Sequence, residues 1–242
     1  MSSSPFRTPA GVRVPAVTAE EMREVDRVAV DDVGLELLQM MENAGRTLAS
    51  HVFDAGAGSA LVVAGNGGNG GGGLACARHL TNREVSVSVV LDREPDELTE
   101  AAATQYGILD EIGIPTGVGM GAFERNSDPD VIVDALIGYG LSGDVREPAR
   151  QLIEGMNRQA ASIVSLDVPS GIDATTGEAL GIAAEPERVV TLALPKTGLT
   201  AVTGSLYLAD IGIPRTVYDR LDIDYEMPFG TQEWVELRVS GT

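Results

Sequence analysis

The chain has 242 residues, which is enough for one large α/β domain or two small ones. Hydrophobic residues make up 43% of it and aromatic residues only 4%, a composition that favours a helix-covered parallel sheet over an all-β sandwich. Its formal net charge of −19, with Lys196 as the single lysine, argues against binding to nucleic acids or anionic membranes and fits a salt-loving source.

The cysteine content and the N-terminal residues bear on the compartment. The single cysteine, Cys76, excludes an internal disulfide, and the N-terminal residues lack the apolar run of a signal peptide. No apolar run approaches the ~20 residues that a membrane-spanning helix needs. We therefore expect a soluble, cytoplasmic protein with no membrane segment.

The chain begins with residues 1–17, which have neither a helical nor a strand period and are expected to form an arm that is loose or lies on a neighbour. Thr18 and Glu21 then have the spacing of a capping box, which predicts a first helix. A second helix is expected from Leu35 toward Val52, where apolar residues recur at helical intervals.

From residue 60 onward, short apolar runs alternate with helical patterns. Strands are predicted at residues 60–64, 85–91, 131–136, 163–166, 189–194 and, as an edge strand, 206–208. Helices are predicted around residues 74–80, 96–112 and 148–156 and after Pro214. The alternation predicts an α/β fold whose parallel sheet has helices on both faces. One domain is expected to span residues 18–222, followed by a C-terminal tail at 223–242 that is left unassigned.

A glycine-rich segment, GNGGNGGGG at residues 65–73, directly follows the first predicted strand of the sheet. Glycine has no Cβ, so this backbone can approach a ligand closely and point its N–H groups at a phosphate beside a helix N-terminus. The segment lacks both the GK[ST] ending of a triphosphate-binding loop and the usual dinucleotide spacing. It therefore predicts a pocket for a nucleotide-like molecule, with a merely flexible turn as the alternative.

Two further polar segments follow predicted strands. Asp134 ends the strand VIVDAL and precedes the loop 138–144, and Asp167 and Ser170 lie in the segment SLDVPSGID. Because the carboxyl ends of parallel strands meet at one edge of a sheet, both segments should lie beside the glycine-rich segment. A lone Asp at such a position is more often a helix cap or turn former, but three polar segments at one edge favour a ligand site.

The remaining candidates receive a structural interpretation. His51 and His79 lie in predicted helices without cysteine partners and are expected to be surface or packing residues rather than metal ligands. Cys76 is expected to be a small buried hydrophobic residue. Lys196 follows a predicted strand and either reaches the phosphates of the ligand or faces solvent.

Six segments that together cover roughly residues 17–214 carry a resemblance when taken in order: VTAEEMREVDRVAVDDVGLELLQMMENAGRTLA, LACARHL, VDALIGYGLSG, SLDVPSGIDATTGE, TLALPKTGL and LADIGIP. They resemble the YjeF N-terminal domain family of NAD(P)HX epimerases. The resemblance implies a Rossmann-like three-layer αβα sandwich with a mostly parallel sheet, usually a homodimer. It implies an isomerase that interconverts the R and S forms of hydrated NADH or NADPH (NADHX and NADPHX), with a separate NAD(P)HX dehydratase acting downstream.

The resemblance also implies site residues. A potassium ion would be held by Asn69, Asp134 and Ser170, whose oxygen atoms suit a hard cation. Asp167 would lie beside the reacting ring as the catalytic acid–base group. The substrate-binding residues would be Gly68, Asn69, Gly70, Gly71, Gly72, Gly138, Tyr139, Gly140, Leu141, Ser142, Gly143, Asp144 and Asp167.

The chain departs from the family pattern at three positions. Where the family loop reads N-N-G-G-D-G, Gly68 replaces the first Asn and Gly72 replaces the Asp, and Tyr139 stands where Thr is common. The alternative to an epimerase is therefore a catalytically silent nucleotide-binding or dimeric scaffold module of the same fold. The acidic net charge of the chain argues against an RNA-associated scaffold, and the presence of Asp167 favours the enzyme.

Overall fold

The computed structural model describes residues 4–126 and 128–240, which form a ten-stranded sheet covered by helices. The strands are β1 Phe6–Arg7, β2 Arg13–Val14, β3 Ser59–Ala64, β4 Ser86–Leu91, β5 Thr116–Val118, β6 Val131–Ala135, β7 Ser162–Leu166, β8 Arg188–Leu192, β9 Ser205–Ala209 and β10 Trp234–Val239. Their order across the sheet is β2-β1-β10-β9-β8-β7-β6-β3-β4-β5. The pairs from β9 to β5 are parallel, whereas those involving β10, β1 and β2 are antiparallel. The predicted mostly parallel sheet is confirmed.

Helices cover both faces of the sheet. They are α1 Ala19–Arg27, α2 Leu37–Asp54, α3 Gly67–Thr81, α4 Glu100–Glu111, α5 Gly119–Arg125, α6 Ala149–Arg158 and α7 Arg215–Arg220, with a π-helical turn at Val28–Val33 and 3-10 turns at Pro95–Glu97 and Thr197–Ala201. One apolar core joins the sheet to α1–α4 and α7, and a second joins its other face to α5 and α6. The predicted three-layer αβα sandwich is confirmed.

The topology has a switch point between β3 and β6. From β3 the chain adds β4 and then β5 on one side, and it then crosses back to add β6, β7, β8 and β9 on the other. In open α/β sheets the loops that leave neighbouring strands diverge at this point and open a crevice at the carboxyl ends. The glycine-rich segment follows β3 and Asp134 lies in β6, so both lie beside this crevice.

The predicted nine-residue glycine loop is mostly helix, because α3 begins at Gly67. Close packing explains the glycines within it. A Cβ on Gly70 would lie 1.7 Å from the carbonyl oxygen of Gly65, and one on Gly73 would lie 2.4 Å from the Cβ of Ala135. These glycines let the first turns of α3 sit directly against the loop and strand beside it.

The prediction for the first helix is confirmed at its cap. The Thr18 hydroxyl accepts a hydrogen bond from Glu21 N at 3.2 Å, and Thr18 N donates to Glu21 Oε2 at 2.7 Å. These reciprocal bonds satisfy backbone groups that the start of a helix leaves unpaired. The predicted helix at 96–112 is instead a 3-10 turn followed by α4, and β5 and α5 were not predicted.

The chain ends differ most from expectation. Residues 6–7 and 13–14 of the predicted loose arm are strands, and β10 lies in the unassigned tail. Phe6 of β1 is fully buried and pairs with Val239 of β10. Because β10 covers β9, the prediction of an edge strand at 206–208 was wrong. Residues 1–3 of the arm and 241–242 of the tail lie outside the described residues. The domain boundaries at 17 and 222 stay predictions.

Over the ranges 4–126 and 128–240, every helix is too short or too polar to cross a membrane.

Candidate functional site

A cavity of about 1270 Å³ opens at the carboxyl ends of the strands around the switch point. Sites for small molecules usually measure about 300–1,000 Å³, so this cavity has room for a larger ligand such as a dinucleotide. Its walls come from α1, the start of α2, the first turns of α3, and the segments after β4, β6 and β7. The chain thus places its ligand-sized space at the edge that the sequence predicted.

Asp134 and Ser170 are hydrogen-bonded to each other and fully buried, and neither lines the cavity, whose wall includes the nearby Leu136 and Ile137 instead. The Ser170 hydroxyl donates to Asp134 Oδ1, and Ser170 N and the Ser165 hydroxyl donate to Asp134 Oδ2 at 2.9 Å and 2.7 Å. Burial raises the pKa of Asp134, while these hydrogen bonds act to lower it. No basic side chain of the described residues forms an ion pair with Asp134.

Asn69 lies on the first turns of α3 against the loop that follows β6. Its Oδ1 is 3.1 Å from the point where a Cβ on Gly138 would stand. The neighbouring Ile137 N donates to the Ser170 hydroxyl at 2.9 Å, so Asn69 and Ser170 contact adjacent residues of one loop. The Asn69 Nδ2 atom is buried and has no hydrogen-bond partner among the described residues. A buried amide group without a partner is uncommon in proteins.

Asp167 follows β7 and forms a buried ion pair with Lys196. The Lys196 ammonium donates to Asp167 Oδ1 and to the carbonyl oxygen of Leu192, the latter at 3.0 Å. Leu192 N and the Thr191 hydroxyl also donate to Oδ1, at 3.2 Å and 3.4 Å. Asp167 has a φ of +66°, a left-handed conformation that side chains rarely adopt. The Lys196 side chain therefore reaches the predicted acid–base residue and not solvent.

Tyr139 and Asp26 add a second polar pair to the cavity wall. The Tyr139 hydroxyl donates to Asp26 Oδ2, and the face of its ring lies 5.5 Å from the Lys196 ammonium. Burial raises the pKa of Asp26, whereas the Tyr139 bond and the charge of Lys196 act to lower it. Burial and the nearby Asp26 raise the pKa of Tyr139, so its hydroxyl keeps its proton.

Asp26 was missed by the sequence analysis, although a signal exists. Met22 and Val25 of α1 are buried, and Ala29 of the following turn is buried as well. Position 26 completes the i, i+3, i+4, i+7 face that these residues define. A carboxylate on the apolar face of a helix is expensive to bury without a partner, and this position could have been singled out on that ground.

The predicted substrate-binding residues divide into two groups. Those at the cavity wall are Gly68, Asn69, Asp167, Gly138 through Ser142, and Asp144. Those behind the wall are Gly70, Gly71 and Gly72, which are buried in the packed turns of α3, and Gly143 is absent from the wall as well. The substrate contacts predicted for the individual residues stay predictions.

Arginines that the sequence analysis did not select also reach the cavity. They are Arg23, Arg27, Arg93 and Arg146. Arg93 forms two parallel hydrogen bonds of 2.9 Å with the carboxylate of Asp92. The guanidinium groups of these arginines suit phosphate oxygens, and they lie among seven acidic side chains of the same wall: Asp26, Glu36, Asp92, Glu100, Asp144, Glu147 and Asp167. The scattered sequence positions of the arginines leave no motif that would have found them.

The structural interpretation of His79 and Cys76 agrees with their surroundings. His79 Nε2 lies 2.8 Å from Glu42 Oε1, and Cys76 is fully buried. No group of three or more metal-ligating His, Cys, Asp or Glu side chains occurs in the described ranges. His51 is 1% exposed, but neither of its ring nitrogens has a hydrogen-bond partner among the described residues.

Known proteins are similar to this chain in sequence and in fold. A family model described as YjeF-related protein N-terminus matches residues 37–198. An NAD(P)H-hydrate epimerase of Dehalogenimonas lykanthroporepellens is 40% identical, over 97% of this chain and 98% of that protein. A bifunctional NAD(P)H-hydrate repair enzyme Nnr of Salinibacter ruber is 38% identical over 85% of this chain, which covers 42% of that longer protein.

A solved structure is similar along almost the whole chain. The crystal structure of yeast ynu0, YNL200c, superposes with a TM-score of 0.81 at 27% identity, over 92% of this chain and 100% of the yeast chain. The range 37–198 that the family model matches contains the first turns of α3, Asp134, Asp167 and Lys196. The chain therefore belongs to the family of YjeF-related protein N-termini.

Proposed function

We propose that this protein is an NAD(P)H-hydrate epimerase, which interconverts the R and S forms of NADHX and NADPHX. The observation that carries the proposal is the buried Asp167–Lys196 pair at the wall of a dinucleotide-sized cavity. Support comes from relatives named NAD(P)H-hydrate epimerase, among them one that this chain matches over nearly its full length. Bifunctional relatives join this region to further sequence, which supports a dehydratase as the partner acting downstream.

The reaction breaks and remakes one bond of a single carbon, to oxygen or to nitrogen, and the protons that move are those on the hydroxyl oxygen and the ring nitrogen. In hydrated NADH, C6 of the nicotinamide ring carries a hydroxyl beside the ring nitrogen, and its configuration inverts by reversible loss of water or by ring opening. In the ring-opening route, Asp167 Oδ2, which faces fewer donors than Oδ1, would accept the proton of the C6 hydroxyl as the bond from C6 to nitrogen breaks, and the nitrogen would gain a proton; ring closure on the other face would reverse these transfers. Lys196 would hold Asp167 in place, and the arginines at the cavity wall would bind the diphosphate.

We also propose a potassium site formed by Asn69, Asp134 and Ser170. The residues fit such an ion, since they offer a carboxylate, a hydroxyl and an amide oxygen and no soft ligand. A half turn of the Asn69 amide would bring its oxygen to the buried position where Nδ2 lacks a partner. A bound cation would supply positive charge that compensates the buried carboxylate of Asp134.

The potassium proposal is tested by thermal unfolding in KCl and in NaCl of equal ionic strength. The wild type should unfold at a higher temperature in KCl, because an ion that binds only the folded state stabilises it. Asp134→Asn should remove the difference between the two salts. Equal unfolding temperatures of the wild type in both salts would contradict the site.

A silent binding module is the second candidate, and Gly72 is the observation that favours it. A Cβ at this position would lie 2.7 Å from a methyl group of Leu166, the residue before Asp167. The Asp of the family pattern would therefore fit here only if Leu166 moved. Without that carboxylate, an epimerase would have Asp167 as its acid–base carboxylate. A binding module would need neither the loop Asp nor Asp167 for proton transfer.

A coupled assay separates the two candidates. Purified protein is mixed with the R form of NADHX and a dehydratase specific for the S form, and NADH absorbance is followed. An epimerase should raise the rate of NADH formation far above that with dehydratase alone. A rate equal to the dehydratase control would leave only the binding module.

We further propose a cytoplasmic homodimer. Val33 and Leu38, at the early helices, are 40% and 38% exposed and would support pairing of two copies. The N-terminal arm no longer supports it, because Phe6 and Val14 are buried within the chain's own sheet. Light scattering should give twice the monomer mass of 25.3 kDa, and the monomer mass in moderate and high salt would contradict the dimer.

A further inference from the structure

The two carboxylate oxygens of Asp167 are held in different ways. Oδ1 accepts hydrogen bonds from Lys196, Leu192 N and the Thr191 hydroxyl. The only hydrogen bond to Oδ2 from the described residues comes from Tyr139 N, at 3.3 Å. Oδ2 is therefore the oxygen with lone pairs left for a substrate, and its direction depends on where the Tyr139 backbone lies.

The backbone around Tyr139 has little intrinsic constraint. Gly138 precedes it and Gly140 follows it, and glycine adopts a wide range of backbone conformations. The side chain of Tyr139 supplies the missing constraint, because its hydroxyl donates to Asp26 on helix α1. Asp26 thus ties the loop after β6 to a helix that packs in the core through Met22 and Val25.

The same side chain also covers Lys196. The Tyr139 ring lies 5.5 Å from the Lys196 ammonium, within the range of a cation–π contact. Tyr139 therefore contacts both members of the Asp167–Lys196 pair, the carboxylate through its backbone N–H and the ammonium through its ring.

We propose that Asp26 and Tyr139 are positioning residues, whose hydrogen bond fixes the loop that orients Asp167 Oδ2 and holds the ring over Lys196. In this arrangement Asp26 accepts the hydrogen bond from the Tyr139 hydroxyl, and Tyr139 in turn contacts Asp167 and Lys196. The kinetic part of the proposal rests on the epimerase function, whereas the placement of Lys196 is measurable without it.

The kinetic test uses variants that remove the bond in different ways. Tyr139→Phe keeps the ring and loses the donor, Asp26→Ala loses the acceptor, and Asp26→Asn keeps an acceptor oxygen of similar placement. Tyr139→Phe and Asp26→Ala should each lower kcat about tenfold and change KM by less than about threefold, because only orientation is lost. Asp26→Asn should stay within about threefold of the wild type.

The double variant and a control complete the kinetic test. Asp26→Ala combined with Tyr139→Phe should be no slower than either single variant, because both remove one bond. Glu20→Ala, on the exposed first turn of the same helix, should leave kcat unchanged. Additive losses, a change confined to KM, or an Asp26→Asn as slow as Asp26→Ala would each overturn the assignment, the last because Asp26 would then act through its charge.

A labelling experiment tests the placement without using activity. Lys196 is the only lysine of the chain, so its acetylation by N-acetoxysuccinimide can be followed by peptide mass spectrometry without interference from other side-chain amines. Tyr139→Phe and Asp26→Ala should acetylate Lys196 about threefold or more faster than the wild type, and Asp26→Asn and Glu20→Ala at the wild-type rate. Equal rates in all variants would overturn the proposal even if the protein is an epimerase. A wild type without epimerase activity, combined with the predicted labelling pattern, would instead overturn only the proposed function.

Discussion

Asp167 and His51 are both buried polar side chains, but only Asp167 has hydrogen-bond partners among the described residues. Asp167 has hydrogen-bond donors at both oxygens and a cationic partner in Lys196. His51 packs its ring 4.5 Å from the ring centroids of Tyr207 and Trp234, and neither nitrogen is hydrogen-bonded within the described ranges. Desolvation, with a smaller contribution from the charge of Arg188, lowers the pKa of His51 from 6.5 to about 4.

The His51 environment predicts a loss of stability in acid. Between pH 6.5 and about 4 the unfolded chain binds a proton at His51 that the folded chain does not, so the free energy of unfolding falls as pH decreases through this window. The contribution is about 3 kcal/mol. His51→Phe, which keeps an aromatic ring beside Tyr207 and Trp234, should flatten this part of the stability profile in denaturant titrations.

Only the difference between His51→Phe and the wild type reports on His51. Burial raises the pKa values of Asp26 and Asp134, so these two groups make the folded chain more stable as pH falls, which opposes the effect of His51. They act equally in the wild type and in His51→Phe. Desolvation lowers the pKa of His79 as well, but its hydrogen bond with Glu42 opposes that shift, so His79→Gln should flatten the profile less than His51→Phe does. If the free energy of unfolding fell equally steeply in His51→Phe and the wild type between pH 6.5 and about 4, His51 would not be the cause of the loss.

At the scale of elements, α3 determines how close the site lies to the sheet. Its glycines allow the helix to begin directly beside Gly65 and β6. Gly70→Ala should destabilise the fold by about 3 kcal/mol or more, because its Cβ would lie 1.7 Å from a backbone oxygen that cannot move away cheaply. Chemical denaturation measures the loss.

Gly107→Ala is the matched control for Gly70→Ala. Gly107 lies within α4 with no atom within 4 Å of an added Cβ, so alanine should raise the free energy of unfolding by about 0.5–1 kcal/mol. If both substitutions had the same effect, close packing would not be the reason for glycine at position 70.

Local patterns predicted some elements well and others poorly. The capping box at Thr18, the buried strands β3 and β6, and the convergence of Asp134 with Ser170 followed from local sequence and the geometry of parallel sheets. The start of α3 did not, because glycine is a poor helix former and its packing reason lies in distant residues. The pairing of β1 with β10 joins the two ends of the chain, and two-residue strands carry no periodic signal.

For the candidate site, the sequence predicted which positions take part but not which side chains contact one another. Nothing local to Lys196 shows whether its side chain turns inward, since that depends on Asp167, which is held in a left-handed conformation directly after strand β7. Asp26 required recognition of a charged residue on an apolar helix face together with a partner on a distant loop. Such residues are found from the tertiary structure.

The whole molecule carries far more acidic than basic groups, with 36 Asp and Glu against 17 Lys and Arg. Mutual repulsion among these charges destabilises the compact state, and salt screens it. The unfolding temperature of the wild type should therefore rise from about 0.1 M to about 1 M NaCl, as the Debye length falls from about 10 Å to about 3 Å.

Sodium chloride keeps that measurement separate from the proposed potassium site. A parallel series in KCl should show a steeper rise, because stabilisation by an ion that binds only the folded state keeps growing with the logarithm of its concentration. An unfolding temperature that stays level or falls with NaCl would show that charge repulsion is not a major term in the stability of this chain.

The most direct test of the central claim, that Asp167 carries the proton in epimerisation, is the coupled NADHX assay on Asp167→Asn. The substitution keeps the size of the side chain but removes the basic oxygen, so the rate should fall about 10²-fold or more. Circular dichroism should show an intact fold, and substrate binding should persist because the other cavity-wall residues are unchanged. A folded Asp167→Asn variant that produces NADH at the wild-type rate would contradict the claim.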